Sequence, residues 1–253
     1  MAQAASSPQI VTEIRHFDEL VNRTGESWWG HRTAAGQRRL ARRAAIVRRK
    51  IPLGREFQVL EIGAGAGAFT EAVLRSAPNA AITAVDISPS SVDRLRERVN
   101  PYPNARAEVG DIMRLDFDDC RFDAVIGNSV LHHVEVRRCL GELHRVLKSG
   151  GRLVVFEPNL LNPEVLIETF VARRLATRGL DYSENERTHT LWTYRRWLRK
   201  CGFNDPRVRP FDFLHPITPS PLLHLMVLVG RVLEFVPVLR ELSGSLLLTA
   251  CRG

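Results

Sequence analysis

Cysteine is scarce in this chain, with only four among 253 residues. Cys120, Cys139, Cys201 and Cys251 lie far apart and form no Cys-x-x-Cys pair. Scattered single cysteines are typical of reduced side chains in a cytoplasmic protein. The spacing therefore argues against a disulfide framework and against a zinc site, and we expect no bound metal.

Targeting and membrane-spanning segments are also missing. Residues 1–8 are small and polar, without the basic start and apolar stretch of a secretory signal, so we expect a cytoplasmic protein. An apolar octet at residues 222–229 is flanked by prolines and is too short to cross a bilayer. A plain core helix is its simplest interpretation. It also suits a lid over a lipophilic substrate, a dimer contact or a peripheral membrane contact, and it indicates no particular oligomeric state.

The composition is that of an ordinary globular protein, with 44% apolar and 25% charged residues. A chain of this length buries one sizeable core, so we expect a single domain covering residues 1–253. Within it we expect a helical N-terminal cap (1–55), a ligand-binding core (56–160), and substrate-side helices with the last strands (161–253).

The net charge of +8 has its main source in residues 38–50, where arginines surround Leu40, Ala44 and Val47 at helical spacing. This pattern predicts an amphipathic helix with a solvated basic face, and a polyanion such as RNA is the alternative partner. No aromatic residue lies between Gly30 and Arg55 to stack on bases, so the sequence disfavours nucleic acid.

Strand-like and helix-like segments alternate through the middle of the chain. Short apolar runs predict buried parallel strands, and amphipathic stretches between them predict helices at 69–76, 91–99 and 139–147. Beyond residue 157 we expect helices at 162–178 and 192–201. The strands are expected at 57–62, Ala81–Asp86, Ala105–Val109, 122–127, 152–157, 207–213 and 245–251. This is the pattern of a Rossmann-like α/β fold: a seven-stranded, mostly parallel sheet with helices on both faces, binding ligands at the carboxyl ends of its strands.

A glycine-rich turn, Glu61-Ile62-Gly63-Ala64-Gly65-Ala66-Gly67, follows the first predicted strand and precedes a helix. Its glycines permit a tight turn where a cofactor can approach the backbone beside the positive end of the helix dipole. Gly63, Gly65 and Ala68 also satisfy the dinucleotide fingerprint, and Asp86 suits ribose hydroxyls in either kind of enzyme. These two features alone leave a nicotinamide-dependent oxidoreductase open.

Further short motifs follow in order along the predicted sheet. Gly110-Asp111-Ile112 closes the third strand, Asp123 opens the fourth, Asn128-Ser129 closes it, and Lys148-Ser149-Gly150-Gly151 leads into the fifth. The ordered set, over roughly residues 57–157, resembles the class I methyltransferases that use S-adenosylmethionine. The resemblance implies S-adenosylmethionine as cofactor and S-adenosylhomocysteine as its product, with no metal.

The resemblance also implies a role for individual residues. The methionine moiety would be lined by the glycine turn with a carboxylate behind it, that is by Glu61, Gly63, Ala64, Gly65 and Gly67. The Asn128 backbone would face the methionine amino group. Arg39 or Arg43, from the segment before the first strand, would supply a cation for the methionine carboxylate.

At the adenosine end, the resemblance implies contacts from two further strand ends. Asp86 would bind both ribose hydroxyls and Ile87 would pack on the adenine. Asp111 would accept a hydrogen bond from the adenine amino group, while the Ile112 backbone contacts the ring. The alternative for each acidic residue is a helix cap or a turn.

Two adjacent histidines, His132 and His133, follow the fourth strand, at the edge where the methyl group is expected. Methyl transfer depends mainly on holding nucleophile, carbon and sulfur in line, but a protonated nucleophile also needs a base. Histidine titrates near neutrality, so either residue suits deprotonation of a hydroxyl. A structural histidine at a helix start is the alternative, and His189 is a second candidate.

Motifs of base-methylating enzymes are absent: no Asn-Pro-Pro-aromatic sequence follows the fourth strand, and there is no Pro-Cys nucleophile. No acidic cluster suggests the magnesium site of catechol-type enzymes. At the N-terminus, Phe17-Asp18 and Trp28-Trp29 resemble ubiquinone-type O-methyltransferases, with departures at Gly30, where those enzymes have an acid, and at His132, where they have glutamate.

The expected function is methyl transfer to a small molecule, with oxygen as the favoured acceptor and a lipophilic substrate among the options. A methyltransferase acting on RNA or another macromolecule is the alternative, beside the nicotinamide-dependent oxidoreductase.

Overall fold

The computed structural model describes residues 8–24, 30–175 and 187–253. They form a seven-stranded sheet in the order β3-β2-β1-β4-β5-β7-β6. Strands β1 to β5 are parallel, while β7 runs antiparallel to both β5 and β6. The predicted fold class is therefore confirmed. The strands are β1 (Gln58–Ile62), β2 (Ala81–Asp86), β3 (Ala105–Val109), β4 (Phe122–Asn128), β5 (Leu147–Pro158), β6 (Phe203–Phe211) and β7 (Ser245–Arg252).

Helices cover both faces of this sheet, because successive side chains of a buried strand point to opposite sides. Val125 of β4 packs in the cluster that contains α5 and α7, whereas its neighbour Ile126 packs in the cluster that contains α2, α3 and α4. The helices are α1 (Pro8–Thr24), α2 (Ala34–Lys50), α3 (Ala68–Ser76), α4 (Pro89–Val99), α5 (Val136–Val146), α6 (Pro163–Leu175), α7 (Leu191–Lys200), α8 (Leu223–Phe235) and α9 (Pro237–Arg240).

Strand β6 begins at Phe203, four residues earlier than the predicted 207–213, and ends two residues earlier. Its pairing with β7 shifts register between Asn204 and Arg207, and Asp205 adopts a positive φ of 45°. An irregularity of this kind interrupts the alternation of buried and exposed residues. The first residues of the strand therefore lack the pattern from which a strand is predicted.

The apolar octet at 222–229 lies in α8 and the short turn before it, and its interpretation as a core helix is wrong. Gly230, packed against Phe213, is the buried residue of α8. Apolar residues cover most of the circumference of this helix, so packing one side leaves others in solvent. Among the described residues, no helix combines the length and apolar character needed to cross a membrane.

The carboxyl ends of the parallel strands meet along one edge of the sheet. In the register of these strands, Ile62 at the end of β1 stands beside Val85 of β2 and Gly127 of β4. The glycine turn, Asp86 and Asn128 therefore follow from neighbouring strands and reach the same edge. This is where a sheet of this topology binds its ligands.

Candidate functional site

The glycine turn after β1 uses left-handed backbone at Gly63 (φ 59°), Gly65 (φ 53°) and Gly67 (φ 87°). A Cβ atom added at Gly63 would lie 2.2 Å from Cγ2 of Val130, so packing of the β4 loop excludes a side chain there. A Cβ atom at Gly65 would meet nothing within 4 Å. Gly63 thus closes the turn against the protein, and Gly65 leaves its outer side open to a ligand.

Asp86 ends β2 with its carboxylate turned toward this turn. Oδ2 accepts a hydrogen bond from the Gly65 amide at 2.7 Å, and Oδ1 accepts one from the Ser88 amide at 3.0 Å. Burial raises the pKa of Asp86 above its usual value. The Ser88 hydroxyl in turn donates to Oδ1 of Asp18 at 2.5 Å, so α1 is tied to the loop that carries Asp86.

The loop after β3 lies next to the loop that carries Asp86, because the Gly110 amide donates to the Asp86 carbonyl at 2.9 Å. Oδ1 of Asp111 accepts a hydrogen bond from the Met113 amide at 2.8 Å, which is a turn contact. Ile112 is buried and packs in the core, while Ile87 is half-buried. The two predicted adenosine-binding segments are therefore brought together.

Glu61 lies within β1, behind the glycine turn, and is 1% exposed. Neither carboxylate oxygen accepts a hydrogen bond of ordinary geometry from the described residues. Burial raises the pKa of Glu61 from its usual 4.5 to about 8, and the nearby Thr70 hydroxyl opposes that rise. A buried carboxylate in this state favours a proton or an incoming cation.

The two arginines predicted for the methionine carboxylate, Arg43 and Arg39, have different surroundings. Arg43 is buried, donating from Nη1 to Oδ1 of Asn128 and from Nη2 to Oγ of Ser245 at 2.8 Å. Burial and the charge of Arg39 lower the pKa of Arg43 to about 9. Arg39 instead forms an ion pair with the buried Asp212 at 3.1 Å. Arg43 is therefore the one of the two that contacts a predicted cofactor-binding residue.

These contacts correct part of the expectation of a solvated basic face on α2, where Arg38, Arg48 and Arg49 are exposed but three other arginines are not. Arg43 is buried, Arg39 is held by Asp212, and Arg42 forms two hydrogen bonds with Glu234 of α8 at 2.7 and 2.6 Å. The helix packs between the sheet and α8, so three of its arginines find partners there.

Glu157, a residue not predicted for the site from the sequence, lies at the end of β5 and is 1% exposed. Its Oε1 accepts hydrogen bonds from the amides of Val130 (3.0 Å) and Leu131 (2.8 Å). Its Oε2 lies 2.7 Å from Nδ1 of His132 and 3.4 Å from the Tyr194 hydroxyl. One buried carboxylate thus fixes both the backbone of the turn after β4 and the ring of His132.

His133 and His189 are placed differently from His132. The Nδ1 atom of His133 lies 3.9 Å from Oε2 of Glu13, and its ring packs against Phe17 of α1. Burial and the neighbouring His132 lower the pKa of His133 well below its usual value. His189 packs edge-on against Tyr194, and burial lowers its pKa as well. The structure thus brings all three rings near the end of β5, with His132 in contact with Glu157.

Comparison with known proteins identifies the family of this chain. A family model for a methyltransferase domain matches residues 60–155. An uncharacterized methyltransferase of Mycobacterium bovis is 33% identical over 138 residues, covering 53% of this chain and 68% of that protein. A demethylmenaquinone methyltransferase of Tropheryma whipplei is 41% identical over 119 residues, covering 46% of this chain and 47% of its own. The match thus spans about half the length of that relative.

A solved structure has a similar fold. The geranyl diphosphate C-methyltransferase of Streptomyces coelicolor superposes with a TM-score of 0.68 at 16% identity, covering 99% of this chain and 100% of its own. The chain belongs to the class I S-adenosylmethionine-dependent methyltransferases. This resolves the choice of cofactor that the glycine turn and Asp86 left open.

The residues present fit S-adenosylmethionine. The open side of Gly65 leaves room beside the backbone, where a Cβ atom would intrude. Glu61 is a buried carboxylate able to balance an ammonium group, and Arg43 is a buried guanidinium able to balance a carboxylate. Among the described residues, no three metal-ligating side chains come together.

Proposed function

We propose that this protein transfers the methyl group of S-adenosylmethionine to an oxygen atom of a small, lipophilic molecule in the cytoplasm. The observation that carries the choice of oxygen is the pair formed by His132 and Glu157 at the carboxyl edge of the sheet. A hydroxyl nucleophile must lose a proton during the reaction, and a histidine held by a carboxylate is suited to accept it. The similarity to a demethylmenaquinone methyltransferase supports an apolar substrate.

The proposed cofactor-binding roles are those that the family resemblance implies, and the convergence of the strand ends supports them. Asp86 binds the ribose hydroxyls, and Arg43 with the Asn128 backbone holds the methionine carboxylate and amino groups. Ile87, Asp111 and the Ile112 backbone contact the adenine. The remaining residues line the methionine moiety: Glu61, Gly63, Ala64, Gly65 and Gly67.

When bound, S-adenosylmethionine supplies an electrophilic methyl carbon attached to a positively charged sulfur. In the tautomer in which Nδ1–H of His132 donates a hydrogen bond to Glu157, the basic lone pair of the ring lies on Nε2. In the proposed reaction, Nε2 of His132 would accept the proton that a substrate hydroxyl loses as its oxygen becomes methylated. His133 packs against both His132 and Phe17 of α1.

The site is closed in this structure, because His132 is fully buried and Phe17 of α1 packs on the adjacent His133. We infer that α1 opens to admit the substrate and then excludes water from the reaction. The hydrogen bond from Ser88 to Asp18 links that closure to the loop carrying Asp86.

The experiment is product identification. The protein is incubated with isotopically labelled S-adenosylmethionine and a series of phenols and quinols with alkyl chains of increasing length. We expect O-methyl products, with KM falling as the chain lengthens. A product methylated on carbon or nitrogen would reject oxygen as the acceptor. Labelling of RNA in preference to any of these compounds would reject the small-molecule substrate.

A further inference from the structure

Two features of the sequence meet in the structure: the basic helix α2 and the apolar helix α8. Arg42 of α2 donates from Nη1 and Nη2 to the two carboxylate oxygens of Glu234 on α8, at 2.7 and 2.6 Å. Arg38 and Arg49 lie four residues before and seven residues after Arg42, on the same face of α2. Both are exposed, and neither has an ion-pair partner among the described residues.

Beside this basic face lies an apolar surface formed by α6, α8 and α9. Most of the large exposed apolar side chains in the described chain lie in α6, α8 and α9 or in the segments next to these helices. The exceptions are Val11, Val109 and Trp192. On α8, Leu225, Leu228, Val232 and Phe235 recur at helical spacing and are 56–86% exposed. A stripe of this kind on a soluble fold marks an interaction surface.

Helix α6 extends the same surface. The Asn162 side-chain amide, next to the start of α6, donates to the Leu242 carbonyl after α9 at 2.8 Å, and Glu164 pairs with His215 at 2.9 Å. On α6, Ile167 and Phe170 are 61% and 64% exposed. The exposed apolar residues of α6 therefore lie on an element that adjoins the segments before α8 and after α9.

The charges around this surface are biased toward the positive sign. Glu164 and Glu234 are each held in an ion pair and Glu168 of α6 is exposed, while Arg231 of α8 is exposed without an ion-pair partner in the described chain. Together with Arg38 and Arg49, this leaves basic groups at the border of an apolar patch. A helix that lies in a membrane interface has these two features. Its apolar side chains enter the acyl region, and the cations beside them contact lipid phosphates.

We propose that the surface formed by α6, α8, α9 and the outer face of α2 binds an anionic lipid bilayer. The biological role of this binding rests on the proposed function, because a lipophilic substrate resides in such a bilayer. It is favoured over a second copy of the chain because the basic border complements anionic headgroups and repels an identical border. The surface lies next to the site: Arg42 and Arg43 are neighbours on α2, and Asn159, two residues beyond Glu157, bonds to the Ser243 carbonyl beyond α9.

The test is flotation of the full chain with lipid vesicles, without cofactor or substrate. We expect binding to vesicles containing about a third phosphatidylglycerol and at least about tenfold weaker binding to phosphatidylcholine alone. Replacing Arg38 and Arg49 together by glutamine is expected to weaken binding about tenfold to thirtyfold, since a basic residue near an anionic surface contributes about 1 kcal/mol. Replacing Leu225 and Leu228 together by serine is expected to weaken binding at least tenfold.

Matched controls separate this surface from charge and apolarity in general. Arg195 and Arg196 are exposed on α7, on the opposite side of the sheet from α2, and their double glutamine variant removes the same charge. Val11→Ser removes an exposed apolar side chain from α1. Both control variants are expected to bind vesicles as the wild type does, and circular dichroism verifies that every variant is folded.

Two results would overturn the proposal. If the Arg195→Gln/Arg196→Gln control loses as much vesicle binding as the Arg38→Gln/Arg49→Gln variant, the binding is a general charge effect. A lipid-free dimer that dissociates in the Leu225→Ser/Leu228→Ser variant, with no vesicle binding by the wild type, would assign the surface to a second copy. Flotation requires no turnover, so His132→Gln should float normally even if the proposed reaction fails.

Discussion

Nδ1 of His132 lies 2.7 Å from Oε2 of Glu157, and both side chains are buried. Glu157 also accepts hydrogen bonds from the amides of Val130 and Leu131. The same carboxylate therefore fixes the turn after β4 and orients the ring of His132. Such an arrangement fixes which ring nitrogen carries the proton. In the proposed function, this contact makes His132 a positioned base.

The first prediction concerns Glu157 as the positioning residue of His132. Glu157→Gln keeps the shape but offers the ring a neutral amide, so we expect turnover to fall about tenfold to a hundredfold. The apparent pKa of the rate profile should fall, because a carboxylate stabilises the imidazolium and an amide does not. Rates across pH 6–9 check this, with Tyr194→Phe as the control that keeps the carboxylate. An unchanged pH profile together with lower thermal stability would leave Glu157 a purely structural role.

Asp86 supports a prediction about cofactor affinity. Replacement by alanine removes a charge-assisted acceptor from the ribose hydroxyls, so we expect the binding free energy of S-adenosylhomocysteine to weaken by about 1–3 kcal/mol. Titration calorimetry measures this loss directly. NAD serves as the comparison ligand and should release no heat with either protein. Equal affinity of the variant and the wild type would remove Asp86 from the binding site.

Arg43 and Arg39 form a matched pair of neighbouring arginines with separate roles. Arg43→Gln is expected to weaken S-adenosylmethionine binding about tenfold to a hundredfold, because the methionine carboxylate loses its cation. Arg39→Gln should leave that affinity nearly unchanged and destabilise the fold by about 1–3 kcal/mol, because the buried Asp212 loses a partner. Calorimetry and thermal melts of both variants separate the two effects. Reversed results would exchange the two assignments.

Glu61 makes the stability of the cofactor-free protein depend on pH. Its pKa is about 8 in the folded chain and near 4.5 in its usual environment, so the folded state holds an extra proton between these values. Stability therefore falls as pH rises from about 4.5 to 8. Glu61→Gln removes this loss, and we expect its Tm to exceed that of the wild type by about 5 °C at pH 9, with little difference near pH 4. A Tm difference independent of pH would contradict a neutral Glu61 in the folded state.

The sheet and the glycine turn were predictable because their signals are local. Each buried strand is a short apolar run, and the left-handed positions at Gly63, Gly65 and Gly67 fall in a stretch of seven residues. The parallel order then brings Asp86 and Asn128 to the same edge without any knowledge of side-chain contacts. The register shift between Asn204 and Arg207 has no local signal of this kind. For that reason the predicted bounds of β6 were displaced.

Long-range partners were not predictable in the same way. Glu157 is 25 residues from His132, and Ser245 is 202 residues from Arg43. The available signal was the position of Glu157 at the end of an apolar strand, the same position that Asp86 takes in β2. The exposure of α8 was also hidden, because an apolar sequence does not reveal how much of a helix the rest of the chain covers.

The most direct test of the proposed function is the single-turnover rate of methyl transfer from labelled S-adenosylmethionine to a hydroxylated substrate, compared between wild type and His132→Gln. If His132 is the base, the variant should bind S-adenosylhomocysteine with nearly unchanged affinity and transfer the methyl group about a hundredfold more slowly. The matched His133→Gln variant should keep most of the rate. Near-full transfer by His132→Gln across pH 6–9 would contradict the proposed chemistry.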